Sequence, residues 1–159
     1  MNRSSIVKKI MSDLQADDII VAATGYISRE VFKYDRDLNF YMVGSMGCAL
    51  GIGIGLAMHL KQRVIVINGD GSVLMSLGTL LTAKSLNLPN LIHHIIDNGC
   101  HESTGGQKTV SEYVSFHMLS TNVIVHKVSK DDSIPPRINL KPKDITRRFK
   151  NAILRIKEQ

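Results

Sequence analysis

Asp70 stands between Gly69 and Gly71, directly after the apolar run at 64–67. Asn98 stands before Gly99, directly after a second apolar run at 91–96. Both are hard oxygen donors placed at the end of an apolar segment. Magnesium takes such ligands and fills its remaining positions with substrate phosphates and water. Gly69, Gly71 and Gly99 let backbone approach a phosphate closely. A helix expected to begin near Ser72 aims free N–H groups at such an anion. Together these features describe a Mg2+–diphosphate site. Two unrelated turns account for either end alone, and poorly for both.

Other motifs carry less chemistry. The run "GIGIG", with Gly51, Gly53 and Gly55, lacks the dinucleotide-binding spacing and reads better as close helix packing. No Gly-Lys-Ser/Thr occurs, so a phosphate-binding loop of that type is excluded. His93 and His94 alternate within an apolar strand and face opposite sides, so they do not share a metal; core or interface histidines fit better. His101 and Glu102 lack a second histidine at i+4, which removes a zinc-protease reading.

The elements that must position Asp70 and Asn98 follow from periodicity. Residues 4–14 predict a helix, "DDIIVAATG" a strand, "SREVFKYD" one or two helical turns and "NFYMVGSMG" a second strand breaking into glycine. "CALGIGIGLAMHL" predicts a helix of small residues and "RVIVING" a third strand. "SVLMSLGTLLTAKSLN" predicts one helix stopped by Pro89, and "NLIHHIID" a fourth strand. "TNVIVHKVS" reads as a final strand and the basic end as a final helix. Strands alternating with helices predict an α/β fold, a parallel sheet flanked by helices. In such sheets ligands bind beyond the carboxyl ends of the strands. Thr24, residues 44–47, residues 69–72 and residues 98–103 all fall there. The segment "SKDDSIPPRINLKPKD" reads as an extended crossing rather than a domain boundary.

The chain of 159 residues is one domain's worth, with 43% hydrophobic residues and a mean hydropathy near zero. No apolar run approaches the roughly 20 residues of a membrane helix. Cys48 and Cys100 make no disulfide framework, so a reducing cytoplasm is expected. Residues 1–120 carry ten Lys/Arg against ten Asp/Glu, and residues 121–159 carry ten against four, which is the whole net charge of +6. The basic end has apolar residues at helical spacing (Ile145, Phe149, Ile153, Ile156). It reads as a docked helix with a basic outer face, and no nucleic-acid partner is expected.

"GDG" followed after some 25 residues by an Asn-Gly turn resembles the cofactor motif of thiamine diphosphate enzymes. "TGYISREVF", "VGSMGCALGIGIGLA", "GDGSVLMSLGTL" and "NLIHHIIDNGCHESTGGQKT" are similar, in order, to the diphosphate-binding domain of phosphonopyruvate decarboxylases, with sulfopyruvate decarboxylases close behind. The likeness covers 22–110, and a basic strand, linker and helix follow at 121–159. It implies thiamine diphosphate and Mg2+ as cofactors, with Asp70, Asn98 and the carbonyl of Cys100 on the metal. It implies Ser72 and Thr24 on the diphosphate, beside Gly69 and Gly71. The carbonyl of Gly44 and the amide of Met46 are implied on the aminopyrimidine, and Met46 as the wedge that bends the cofactor. His101 and Glu102 are the expected catalytic candidates of this chain, and Ser103, Lys108 and Arg29 the substrate candidates.

Three features depart from the family. Asp97 stands where many relatives carry Asn; "DNG" fits the sulfopyruvate branch and "HESTGGQ" the phosphonopyruvate branch. About fifty residues follow Gln107, so the domain is expected to be shortened at its C-terminal end by a strand–helix unit. The glutamate that activates the cofactor ring belongs to a pyrimidine-binding domain, for which this length has no room. The expectation is therefore the diphosphate-binding subunit of a split decarboxylase. Its partner is a pyrimidine-binding (alpha) subunit, and its substrate a small anionic 2-oxo acid. Another two-chain thiamine enzyme of the acetolactate-synthase kind, or a non-catalytic cofactor-binding scaffold, are the alternatives.

Overall fold

A computed structural model describes residues 1–130 and 133–158. Its strands in chain order are β1 (Ile19–Ala22), β2 (Asn39–Tyr41), β3 (Val64–Gly69), β4 (Leu91–Asp97), β5 (Cys100–His101), β6 (Gln107–Lys108) and β7 (Val123–Lys127). Five of them form one parallel sheet in the order β2-β1-β3-β4-β7. β5 and β6 pair antiparallel as a short ribbon beyond the end of β4. The expected α/β architecture is the one observed.

The runs "IIVA" and "VIVI" are buried on both faces, as central parallel strands are when helices cover them. Ile19, Val21, Val64 and Val66 point into one core, and Ile20, Ala22, Ile65 and Ile67 into the other. The first core is covered by α3 (Ala49–His59), by α5 (Gly78–Leu86) and by Phe116 of the short α6 (Phe116–Leu119). The second is covered by α1 (Arg3–Ser12) and α2 (Tyr26–Phe32). The last helix, α7 (Pro142–Lys157), puts Phe149 and Ala152 into the first core and Ile145 into the second. Its Arg148 reaches Asp35 through two hydrogen bonds of 2.7 Å. An amphipathic helix with a basic outer face is what its spacing predicts.

Close packing explains one glycine of the three in "GIGIG". A Cβ on Gly53 would lie 2.2 Å from Val66 Cγ2, while Gly51 and Gly55 face open space.

Two expectations need correction. The helix predicted over "SVLMSLGTLLTAKSLN" is broken into α4 (Asp70–Leu74) and α5. Ser76 and Thr79 bond to each other at 2.7 Å across the break, beside the weak helix former Gly78. The first of these helices also begins at Asp70, two residues before Ser72. The segment "SEYVSFHMLS" forms a single 3-10 turn at Ser111–Tyr113 and a four-residue helix. The crossing after β7 has no helix or strand over 133–140, and its residues 131 and 132 lie outside the described ones. No helix among the described residues is long and apolar enough to cross a membrane.

Candidate functional site

The carboxyl ends of β1, β3 and β4 frame one cleft. Thr24, Met46, Gly69, Asp70, Gly71, Ser72, Asn98, Cys100, His101, Glu102 and Ser103 line it, together with Arg3, Tyr26, Ile27, Ile96 and Thr104. Asp70 and Asn98, each at the end of an apolar run, are thus brought together. Three expected residues are not on its wall. Gly44 faces a neighbouring groove, Arg29 lines an adjacent cavity, and Lys108 is exposed on β6.

Asp70 is 1% exposed and accepts a hydrogen bond from the Thr109 hydroxyl. Burial pushes its carboxyl above the ordinary range against the lowering effect of Thr109, and the charge of Asp97 adds to the rise. A buried carboxylate with a second carboxylate nearby is costly unless a cation compensates it. A divalent ion bound beside Asp70 would supply such compensation. No three His, Cys, Asp or Glu side chains cluster for a metal among the described residues. The set that the resemblance implies for a cation, Asp70, the amide oxygen of Asn98 and the Cys100 main-chain carbonyl, is all oxygen, which suits magnesium.

The turn after β4 is held by Asp97 rather than exposed by it. Asp97 is 2% exposed, accepts from Gly99 N–H at 3.1 Å and from Ser111 Oγ at 2.9 Å, and pairs with Lys127. Gly99 takes φ +68, a value that favours glycine. Asn98 Oδ1 accepts from Cys100 N–H at 3.1 Å, which fixes the start of β5. The Cys100 thiol is pushed up by burial, and the charges of Glu102 and Asp70 add to this, so it stays protonated.

Ser72 is 4% exposed, and its hydroxyl is engaged within the protein. It accepts from Gly47 N–H at 3.1 Å and donates to Asn68 Oδ1 at 3.3 Å. The loop after β2 is wound tightly, with Ser45 at φ +53 and Gly47 at φ +96, and this presents Met46 to the cleft. Gly71 lies under the His101 ring, where a Cβ would come within 2.6 Å of Cε1. No side chain caps the start of α4, and the Gly71 backbone bonds the Asp70 carboxylate.

Glu102 is tied to Arg3, and the interaction explains a buried arginine that sequence reasoning missed. Arg3 is 2% exposed, pairs with Glu102 and with Glu30 at 3.6 Å, and donates to the Ser133 carbonyl at 2.7 Å. The signal was present: Arg3 occupies the same helical stripe as Ile6, Val7 and Ile10, all buried. Thr109 and Asn68 were also missed. A lone Thr or Asn carries no pattern that distinguishes it from a turn residue. His93 and His94 do face opposite sides: His93 is buried against Asn68 at 3.0 Å, while His94 stacks on His126.

A parallel sheet with an acid, a glycine turn and an asparagine turn at its carboxyl edge defines a diphosphate-binding domain. The chain belongs to the thiamine pyrophosphate enzymes, matching their C-terminal TPP binding domain over residues 23–155. Among individual relatives, phosphonopyruvate decarboxylase from Streptomyces viridochromogenes is 46% identical over 113 residues, 70% of this chain and 28% of that protein. Sulfopyruvate decarboxylase subunit beta from Methanocaldococcus jannaschii is 40% identical over 152 residues, 95% of this chain and 77% of that subunit. The subunit of the same name from Methanococcus maripaludis is 36% identical, covering 96% of this chain and 98% of that subunit. Its alignment runs over 182 positions against the 159 residues here, so that relative has stretches without a counterpart in this chain. The chain therefore spans under a third of the Streptomyces enzyme but most of the two beta subunits. A solved structure from Mycobacterium smegmatis, described as a candidate thiamin diphosphate-dependent enzyme, shares the fold at TM-score 0.55 and 20% identity. That match covers 69% of this chain and 23% of the other.

Proposed function

We propose that this chain is the thiamine diphosphate- and Mg2+-binding subunit of a two-chain decarboxylase. Its substrate is phosphonopyruvate or sulfopyruvate, and its products are CO2 and an aldehyde. The observation that carries the reading is Asp70, a buried carboxylate with no basic partner among the described residues, beside Gly71 and Asn98 in a cleft of the TPP binding domain. The names of the two beta subunits support a partner chain, and their coverage supports a single-domain subunit.

In this reading Asp70, Asn98 and the Cys100 carbonyl hold the metal, while Gly69, Gly71 and Thr24 bring backbone and hydroxyl to the diphosphate. Gly44 and Met46 meet the aminopyrimidine from the loop that Ser72 fixes. Thiamine diphosphate, when bound, supplies the electron sink for loss of CO2 from a 2-oxo acid. His101, whose ring lies on Gly71 at the cleft wall, is the titratable side chain of this subunit best placed toward substrate, with Ser103 beside it. Glu102 beside it anchors the turn through its pair with Arg3.

The test is reconstitution. The chain alone should bind thiamine diphosphate only with Mg2+ and release no CO2. Addition of a chain carrying a pyrimidine-binding domain should start CO2 release from one of the two substrates. Turnover by the partner-free chain would refute the split assignment.

A further inference from the structure

The chain has eight arginines. Six are engaged: Arg3 with Glu102, Arg36 with the Gln15 and Ala16 carbonyls, Arg63 with Asp18, Arg147 with Asp144, Arg148 with Asp35 and Arg155 with Asp37. Arg29 and Arg137 have no carboxylate or carbonyl partner among the described residues. They come from α2 and from the crossing after β7, over a hundred positions apart. Both line the same cavity of about 220 Å3, with Thr24, Ser28, Met42 and Val43 on its wall. No acidic residue is among the described residues that line it.

A solvated arginine needs no partner. Two that line one concave space, with no acidic residue among its described lining, carry like charge there, and an anion placed between them would attract both. Guanidinium forks match tetrahedral oxyanions geometrically as well as electrostatically. Arg29 is also held in place, its guanidinium 5.2 Å from the centroid of the Tyr26 ring. Tyr26 and Thr24 line the cofactor cleft, and Thr24 lines both spaces. The cavity therefore adjoins the cleft along the same carboxyl edge of the sheet.

We infer that this cavity is a subsite for a tetrahedral oxyanion, and that Arg29 and Arg137 take the phosphonate or sulfonate end of the substrate there. The assignment rests on the decarboxylase reading for the identity of the ligand, but not for the anion site itself. It would make the two arginines specificity residues: a 2-oxo acid with an uncharged end leaves both guanidiniums unanswered.

Methylphosphonate and methanesulfonate, titrated separately into the whole chain with thiamine diphosphate and Mg2+ present, test it by calorimetry. One or both should bind, and the tighter of the two identifies the substrate's end group. R29Q and R137Q should each weaken that binding at least about tenfold. Their melting temperatures and thiamine diphosphate affinity should match wild type. R147Q, on the outer face of α7, should leave the probe affinity unchanged. Wild type binding neither probe, or R29Q and R137Q binding like wild type, would overturn the inference. So would a loss of probe binding in D70A with retention in R29Q, because the anion would then sit in the cofactor cradle. Absence of CO2 release with a partner chain, alongside an intact R29Q and R137Q effect, would remove the decarboxylase reading and leave the anion site standing.

Discussion

The Gly47 amide donates a 3.1 Å hydrogen bond to Ser72 Oγ, and so joins the loop after β2 to the helix after β3. The Ser72 hydroxyl donates in turn to Asn68 Oδ1, and Asn68 Nδ2 lies 3.0 Å from His93 Nε2. All three side chains are buried. The chain of bonds runs from the sheet interior to the loop that carries Met46. Ser72→Ala leaves the Gly47 amide and the Asn68 carbonyl oxygen without this partner, at a cost of about 1–2 kcal/mol. Cofactor affinity should fall as well, because the loop loses its tether. A chemical-denaturation curve and a thiamine diphosphate titration check the two effects. Unchanged stability would show that the hydroxyl serves a ligand and not the loop.

Asp70→Asn separates function from folding. The Asp70 carboxyl is raised above the ordinary range, so its charged form is less favoured in the folded chain than in the unfolded one. At neutral pH that charge lowers stability. The amide keeps an oxygen for the Thr109 hydroxyl and removes the repulsion from Asp97. The variant should therefore melt at the same or a higher temperature than wild type without ligands, and it should lose Mg2+-dependent thiamine diphosphate binding. Differential scanning calorimetry with and without cofactor decides. A lower melting temperature in the ligand-free variant would count against the balance drawn here.

The buried histidines predict acid lability. Burial, with a smaller push from His94, lowers His93 from 6.5 to about 3. Burial, then His126 and Arg63, lowers His94 to about 4. Each binds its proton more weakly folded than unfolded, so stability is full above about pH 6.5 and falls as pH drops toward the folded values. For His93 alone the loss at pH 5 is about 2 kcal/mol. Urea midpoints measured from pH 8 to pH 5 should decline through that window, and His93→Gln should flatten part of the decline. A flat wild-type profile would contradict the neutral, buried state of His93.

The sheet was legible because its strands are continuous β-branched runs ended by glycine, a pattern with few alternatives. Asp70 and Asn98 were legible for a related reason: parallel strands bring their carboxyl ends to one edge, so order along the chain already implied proximity. What stayed hidden depends on contacts between distant segments. Arg3 meets Glu102 across 99 positions, and Thr109 meets Asp70 across 39. Single polar residues of that kind leave no periodic trace. The break between α4 and α5 was hidden because the helix-forming residues on either side outweigh one Ser–Thr contact when read locally. Phe116 too carries no sign of its place in the sequence: it is 2% exposed and belongs to the core between α5 and β7.

Phe116 is buried, but its neighbours are open to a partner. Val110, Tyr113 and Met118 are 58%, 82% and 74% exposed, and exposed apolar groups gathered near a site usually mark association. They are not on a slack loop. Ser111, between Val110 and Tyr113, donates to Asp97, and Thr109 donates to Asp70. The same carboxylates that shape the cleft therefore hold this surface in place, where a domain closing over the cofactor ring would meet it. Tyr113→Asp and Met118→Asp should change folding stability by no more than about 0.5 kcal/mol, as surface changes do. Both should weaken association with a pyrimidine-domain chain. Phe116→Asp should instead unfold the protein, since it places a charge in a packed core. Sedimentation of each variant with and without the partner, beside its melting curve, separates these outcomes. Undiminished assembly by both Tyr113→Asp and Met118→Asp would place the partner elsewhere on the molecule.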